Sequence, residues 1–373
     1  MMKKIFANRI SRRTFSCSVI LSAFVVVWAL SPVLFVAALL ADVRHGWADH
    51  KWLRLLGFLM LYLINDAWAL VMLLAMWIVT GFGWKMHTSW SYKMHARVHG
   101  QWASHLLWGV DKLFGGRIEI RNRDVVTPGP IAMFSRHICF LDALIPSVLI
   151  AHKRSQIPCH VMKEDLKWEP GIDILGHRTP NHFLNRAKAG ALDLDAVRRI
   201  GEAASTDNSV VIFPEGSFRQ PARFARAIER MRKSQPALAE RASKLRHVLP
   251  PRPNGSFALL QGAADADVVL VAHSGFDGFT TVKEILANVP LNRRIVIECR
   301  RIPRSEIPMD EEGFNDWLLA QYEWIDAFVE EQLNDGTSRR ELAAKSEAET
   351  AVAADLRDQV EIELSGTQSD ANV

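Results

Sequence analysis

The chain has 373 residues, 49% of them apolar and 23% charged, with a formal net charge of +4. That is too apolar for a disordered or collagen-like chain, and too charged for a bundle of membrane helices throughout. The pattern is uneven, because residues 17–41 hold no charge and residues 55–84 hold only Asp66. A membrane anchor carrying a soluble body fits both facts.

The first apolar run, Cys17 to Ala41, is long enough to cross a bilayer as a helix kinked at Pro32. The second, Leu55 to Trp84, is interrupted by Asn65 and Asp66. It reads as a second crossing or as two half-helices in the interface. A polar pair at that depth has to face protein or water. Lys3, Lys4, Arg9, Arg12 and Arg13 precede the first run, and Lys85, Lys93 and Arg97 follow the second. The positive-inside rule then puts both ends of a short hairpin in the cytoplasm. Ser11-Arg12-Arg13-Thr14-Phe15 also matches the start of a twin-arginine export signal. The apolar stretch is too long for such a signal, and a second one follows it.

Beyond the anchor, Pro130–Phe134, Val210–Phe213, Val268–Val271 and Ile295–Ile297 read as strands. Helical patterns lie between and after them at 141–151, 194–205, 220–245 (broken at Pro236) and 313–332. The expectation is an α/β body with a mixed sheet flanked by helices. The expected division is a basic segment 1–16, an anchor 17–84, a juxtamembrane helical linker 85–120, the α/β domain 121–332 and a disordered tail 333–373. That tail holds four basic against nine acidic residues, so the rest of the chain is distinctly basic. A basic body beside apolar spans suits an anionic lipid surface or phosphorylated substrates before nucleic acid. The four cysteines are far apart with no CxxC pair, which signals neither a disulfide framework nor structural zinc.

His137 and Asp142 stand five residues apart just after the first strand of the body. There a carboxylate can hold one imidazole nitrogen and leave the other to accept a proton. His160 and Asp165 repeat the spacing, but His160 sits inside an apolar strand pattern. Phe213-Pro214-Glu215-Gly216-Ser217 closes the second strand with a carboxylate beside a glycine, and Asn181–Arg186 offers an arginine fork suited to phosphate.

Together His137/Asp142, Phe183/Arg186, Phe213–Gly216 and the apolar strand Val268–Val271 resemble, in order, the blocks of the PlsC-like glycerophospholipid acyltransferases. His160–Trp168 with Pro170, and His247–Arg252 with Gly255, are similar to the lysophosphatidic acid and lysocardiolipin branch. The resemblance covers roughly 120–330. It implies a general base, His137, oriented by Asp142, and a substrate site of Phe183, Arg186, Pro214, Glu215, Gly216 and Arg219. It implies transfer of a fatty acyl group from acyl-coenzyme A or acyl carrier protein to the hydroxyl of 1-acyl-glycerol 3-phosphate or a related lysophospholipid. No metal and no further cofactor are expected, and no nucleic acid partner. Membrane lipids are the surroundings, with the catalytic domain on the cytoplasmic face of a bacterial inner membrane. Lysocardiolipin, lysophosphatidylglycerol or a non-catalytic scaffold role are the alternatives. The chain departs from the family at Gly216-Ser217-Phe218-Arg219, at Ala272-His273 where a proline is usual, and at Arg136, an unusual neighbour for the base.

Three further features have blander readings. Ten bases lie between 219 and 252 against two acids; they suit a membrane surface first and coenzyme A phosphates second. His95 and His99 are one helical turn apart, as in a metal pair, but a solvated or interfacial helix face explains them without a third ligand. Ser217 lacks the Gly-x-Ser-x-Gly surroundings of a serine nucleophile.

Overall fold

The computed structural model describes residues 8–151, 156–184 and 192–335. The chain divides into two compact units, 1–329 and 330–373; of the second, only the end of a helix over 311–335 is described.

Asn8 caps helix α1 (Arg9–Ala29) through its side chain, and Pro32 at the start of α2 (Ser31–His45) marks the break between the two at Leu30. The chain then turns into α3 (Lys51–Val79), whose first N–H groups, at Trp52 and Leu53, donate to the buried carboxylate of Asp42. Two segments, Arg9–Ala29 and Trp47–Val79, are long and apolar enough to cross a membrane. The first therefore starts before the uncharged run, taking Arg12 and Arg13 into the helix. Within the second, Lys51–Val79 is one continuous helix rather than two halves. Asn65 and Asp66 face protein: α4 (Ser89–Lys112) supplies Trp102, whose indole N–H donates to Asp66 at 2.7 Å, and His105, 2.8 Å from Asn65. Gly109 lets α3 and α4 close, since a Cβ there would stand 2.4 Å from a Leu61 methyl.

The body is built on a seven-stranded sheet of order β1-β7-β6-β2-β5-β3-β4. The strands are β1 (Ile118–Arg121), β2 (Ile131–Ser135), β3 (Ile157–Lys163), β4 (His182–Leu184), β5 (Asn208–Ile212), β6 (Asp267–Ser274) and β7 (Ile295–Ile302). All neighbours run parallel except β6 and β7, so the sheet is mixed as expected. Strand alternation sorts the residues. Ala132, Phe134, Val210 and Leu270 enter one core with α7 (Leu192–Glu202), α10 (Pro253–Gly262) and the helix 311–335. Ile131, Met133, Val211 and Val269 enter the other, beneath α4 and α5 (Leu144–Ile150). The central strands are covered on both faces, which is why they read as unbroken apolar runs. The remaining helices are α6 (Pro170–Arg178), α8 (Pro221–Ser234), α9 (Pro236–Ala242) and α11 (Val282–Asn288); Pro236 divides α8 from α9 as expected.

Candidate active site

The register of the sheet builds the site. Phe134 pairs with Ile212 and Ser135 with Val271. Running on by equal steps brings His137 beside Glu215 on one side and His273 on the other, at the carboxyl ends of parallel strands, where open α/β sheets place ligands. His137 Nδ1 lies 2.8 Å from Asp142 Oδ1, while Asp142 Oδ2 accepts the Ile138 N–H and, at 2.9 Å, the Cys139 N–H. Burial pushes the Asp142 carboxyl up, but His137, His273 and the backbone donor outweigh it and hold the group below its ordinary range. Asp142 is thus an anion at neutral pH, and an anion fixes the imidazole proton on Nδ1. Nε2 carries the lone pair and has no hydrogen-bond partner among the described residues. The ring is wedged between Phe213 and Phe218, with centroids 4.4 and 4.5 Å away.

Glu215 has a different task. One oxygen accepts the His137 N–H at 2.7 Å and the other the Leu249 N–H at 2.9 Å. It braces the loop of the base against segment 247–249, and burial pushes its pKa up to about 8. Gly216 follows at φ +66°, a left-handed turn that glycine adopts without strain.

Arg136 lies off the cavity wall. Its buried guanidinium donates to the His273 and His247 carbonyls at 2.7 and 2.9 Å and to Asp277 at 2.8 Å. Burial alone would lower its pKa, but Asp277, Glu215 and Asp142 overcome this and keep it cationic. His273, pushed down to about 4 by burial, is neutral and sits 3.1 Å from the Arg136 carbonyl oxygen and 3.7 Å from Asp142. Arg136, His273 and Asp277 thus form a second support behind the dyad. Sequence reasoning did not find it; the signal was the pair of departures, an arginine before the base and a histidine at the end of β6.

His137, Pro214, Glu215 and Gly216 line a cavity of about 1620 Å³. On one side its wall is basic, with Lys163, Arg223, Arg226, Arg230 and Arg252. Arg223, Arg226 and Arg230 share one face of α8 at i, i+3 and i+7. Part of the basic stretch therefore faces the cavity rather than a flat surface. On the other side the wall is largely apolar, with Phe58, Ala69 and Leu73 of α3, Leu106 of α4, Leu144 and Leu175. Two expected substrate residues are not on this wall. Phe183 stacks on His177 with centroids 5.0 Å apart, and the Arg219 guanidinium lies 5.1 Å over the Phe224 ring. Arg186 falls outside the described residues. No group of three or more metal-ligating side chains exists among the described residues. His95 turns back onto the Ser91 carbonyl at 2.8 Å, whereas His99 approaches Ser147.

Residues 117–273 match the family model described as Acyltransferase. An uncharacterized acyltransferase of Schizosaccharomyces pombe is 27% identical over 192 residues, which are 47% of this chain and 52% of that protein. The chain thus spans about half the length of this curated relative. The crystal structure of the 1-acyl-sn-glycerophosphate acyltransferase PlsC from Thermotoga maritima is similar over 72% of this chain and 97% of its own, at 12% identity and a TM-score of 0.40.

Proposed function

We propose, from the PlsC-like acyltransferase domain that this chain carries, that it moves a fatty acyl group from an acyl thioester to the hydroxyl of a lysophospholipid in the membrane. The carrying observation is the His137–Asp142 dyad at 2.8 Å, opening on a cavity with one basic and one apolar side. Nε2 of His137 takes the proton of the acceptor hydroxyl as its oxygen attacks the thioester carbonyl, and Asp142 stabilises the imidazolium. Collapse of the tetrahedral intermediate expels the thiolate, which recovers the proton from His137. The acceptor attacks directly, so no acyl-enzyme forms. The basic wall suits the phosphates of a lysophosphatidic acid and of a coenzyme A carrier, and the apolar side suits fatty chains. Holding both substrates in one cavity supplies much of the rate.

In this reading α1 and α3 form the membrane hairpin. At 1.5 Å per residue α1 is about 31 Å long, and its uncharged part after Arg13 about 24 Å. Arg12 and Arg13 tie its start to Asp173 of the body at 2.9 and 2.8 Å, which supports a hairpin with its ends on the catalytic side, facing the cytoplasm.

The test is acyl transfer by the purified protein in detergent. Oleoyl-coenzyme A and oleoyl-acyl carrier protein are offered with lysophosphatidic acid, lysophosphatidylglycerol or lysocardiolipin. Transfer from the coenzyme A thioester to lysophosphatidic acid is expected. Transfer only to another acceptor would move the headgroup assignment, and none from folded protein would contradict the reading.

A further inference from the structure

The apolar side of the cavity carries a polar cluster that the mechanism does not use. His99 of α4, Ser147 of α5 and His160 of β3 all line it. Ser147 Oγ lies 3.2 Å from His99 Nε2 and 3.3 Å from His160 Nε2, with the ring centroids 5.7 Å apart. Burial pushes His99 down to about 4; burial and then the neighbouring His99 push His160 down to about 3. Both rings are neutral at neutral pH.

The proton count of this cluster is informative. A hydroxyl has one proton, so Ser147 donates to one ring and accepts from the other. One histidine therefore shows a lone pair at Nδ1 and the other shows an N–H there. Neither Nδ1 has a protein partner among the described residues, and neither is among their buried atoms sealed without one. A polar group left unmatched in such a wall costs about 1–3 kcal/mol. A donor and an acceptor carried by one cluster on the cavity wall match a hydroxyl, which both accepts and donates. A carbonyl would meet only the N–H, and a phosphate would face the lone pair without a cation.

Position narrows the ligand further. His160 pairs with Val211 and Val211 with Met133, four residues before His137. Two strand spacings across and four residues of rise along then put the cluster on the order of 16 Å from His137. The ester groups of an acceptor glycerol are too near the reacting hydroxyl to reach it, whereas the middle of a fatty chain does reach it.

We propose that His99, Ser147 and His160 form a subsite for a hydroxyl carried at the middle of a fatty chain, so that the enzyme selects hydroxylated over plain chains. This rests on the acyl-transfer reading above.

The test uses the full-length protein in detergent with plain stearoyl-coenzyme A competing against stearoyl-coenzyme A hydroxylated near the thioester, at mid-chain, or near the methyl end. A second arm keeps the plain donor and hydroxylates the acyl chain of the lysolipid, which tells whether donor or acceptor occupies the subsite. A preference of about tenfold in kcat/KM for the mid-chain hydroxyl in one arm is expected. In Ser147→Ala and His160→Leu that ratio falls toward one. Equal use of plain and mid-chain hydroxylated chains in both arms, with transfer proceeding, overturns the subsite and leaves the acyl-transfer reading intact. So does a preference for a hydroxyl near the thioester. The wild-type ratio decides even where a variant fails to fold. No transfer of any chain overturns both.

Discussion

Two buried carboxylates, both hydrogen-bonded to His137, do opposite work because their partners differ. Asp142 meets a ring nitrogen and backbone donors and stays ionised; Glu215 meets only backbone N–H groups and is pushed up by burial to about 8. Asp142→Asn turns an amide toward Nδ1, favours the other tautomer and removes the lone pair from Nε2. A fall in kcat of about 10²–10⁴ with unchanged circular dichroism is expected. Glu215→Gln keeps one acceptor and puts an NH₂ group against a backbone donor. Its cost belongs to the placement of His137, so kcat should fall about 10–100-fold with KM nearly unchanged. A raised KM at constant kcat would instead make Glu215 a substrate ligand. At this scale the pairing of His137 with Asp142 was legible, because a carboxylate five residues after a histidine at a strand end can meet its ring locally. The brace was not. Arg136 gains its meaning from His247, His273 and Asp277, more than a hundred residues away, and no local pattern encodes that meeting.

Among the elements, α7 and α10 approach backbone to backbone. A Cβ on Gly201 would stand 2.1 Å from the Leu259 carbonyl oxygen, and one on Gly262 would stand 2.0 Å from that of Arg198. Gly262→Ala must separate the helices and should cost about 1–3 kcal/mol in thermal unfolding. Gly255→Ala meets only a flexible Ile212 methyl at 3.5 Å and should be tolerated. The tie between α1 and α6 makes a pH prediction. Burial pushes Asp173 up, but bonds from His177, Arg13 and Arg12 outweigh it and hold the carboxyl below its ordinary value. A carboxyl lowered in the folded state stabilises fully above its unfolded pKa, about 4, and loses that contribution as the pH falls through the folded value. The difference in Tm between the wild type and Asp173→Asn should thus be constant near neutrality and shrink below about pH 4. A gap that widens on acidification would contradict the tie. The four central strands were readable as apolar runs and Asn181–Arg186 as a strand-like stretch, whereas β1 escaped because four half-buried residues carry too little pattern.

For the whole molecule, the sequence divided anchor from body because charge is absent from one and dense in the other. It did not reveal that helix α1 begins at Arg9, since the export-like Arg12-Arg13 pair becomes intelligible only when Asp173 is seen to hold it. Nor did it reveal that α3 and α4 help wall the cavity of the catalytic domain. The long apolar helix α3 and the catalytic cavity are thus one construction, since α3 and α4 supply part of its wall. The central claim is that His137 is the base of an acyl transfer carried out in that space. It is tested most directly by transfer of labelled palmitate from palmitoyl-coenzyme A to lysophosphatidic acid, comparing wild type with His137→Ala of equal thermal stability. Loss of at least about a thousandfold in the variant is predicted. Equal transfer by both proteins would contradict the account.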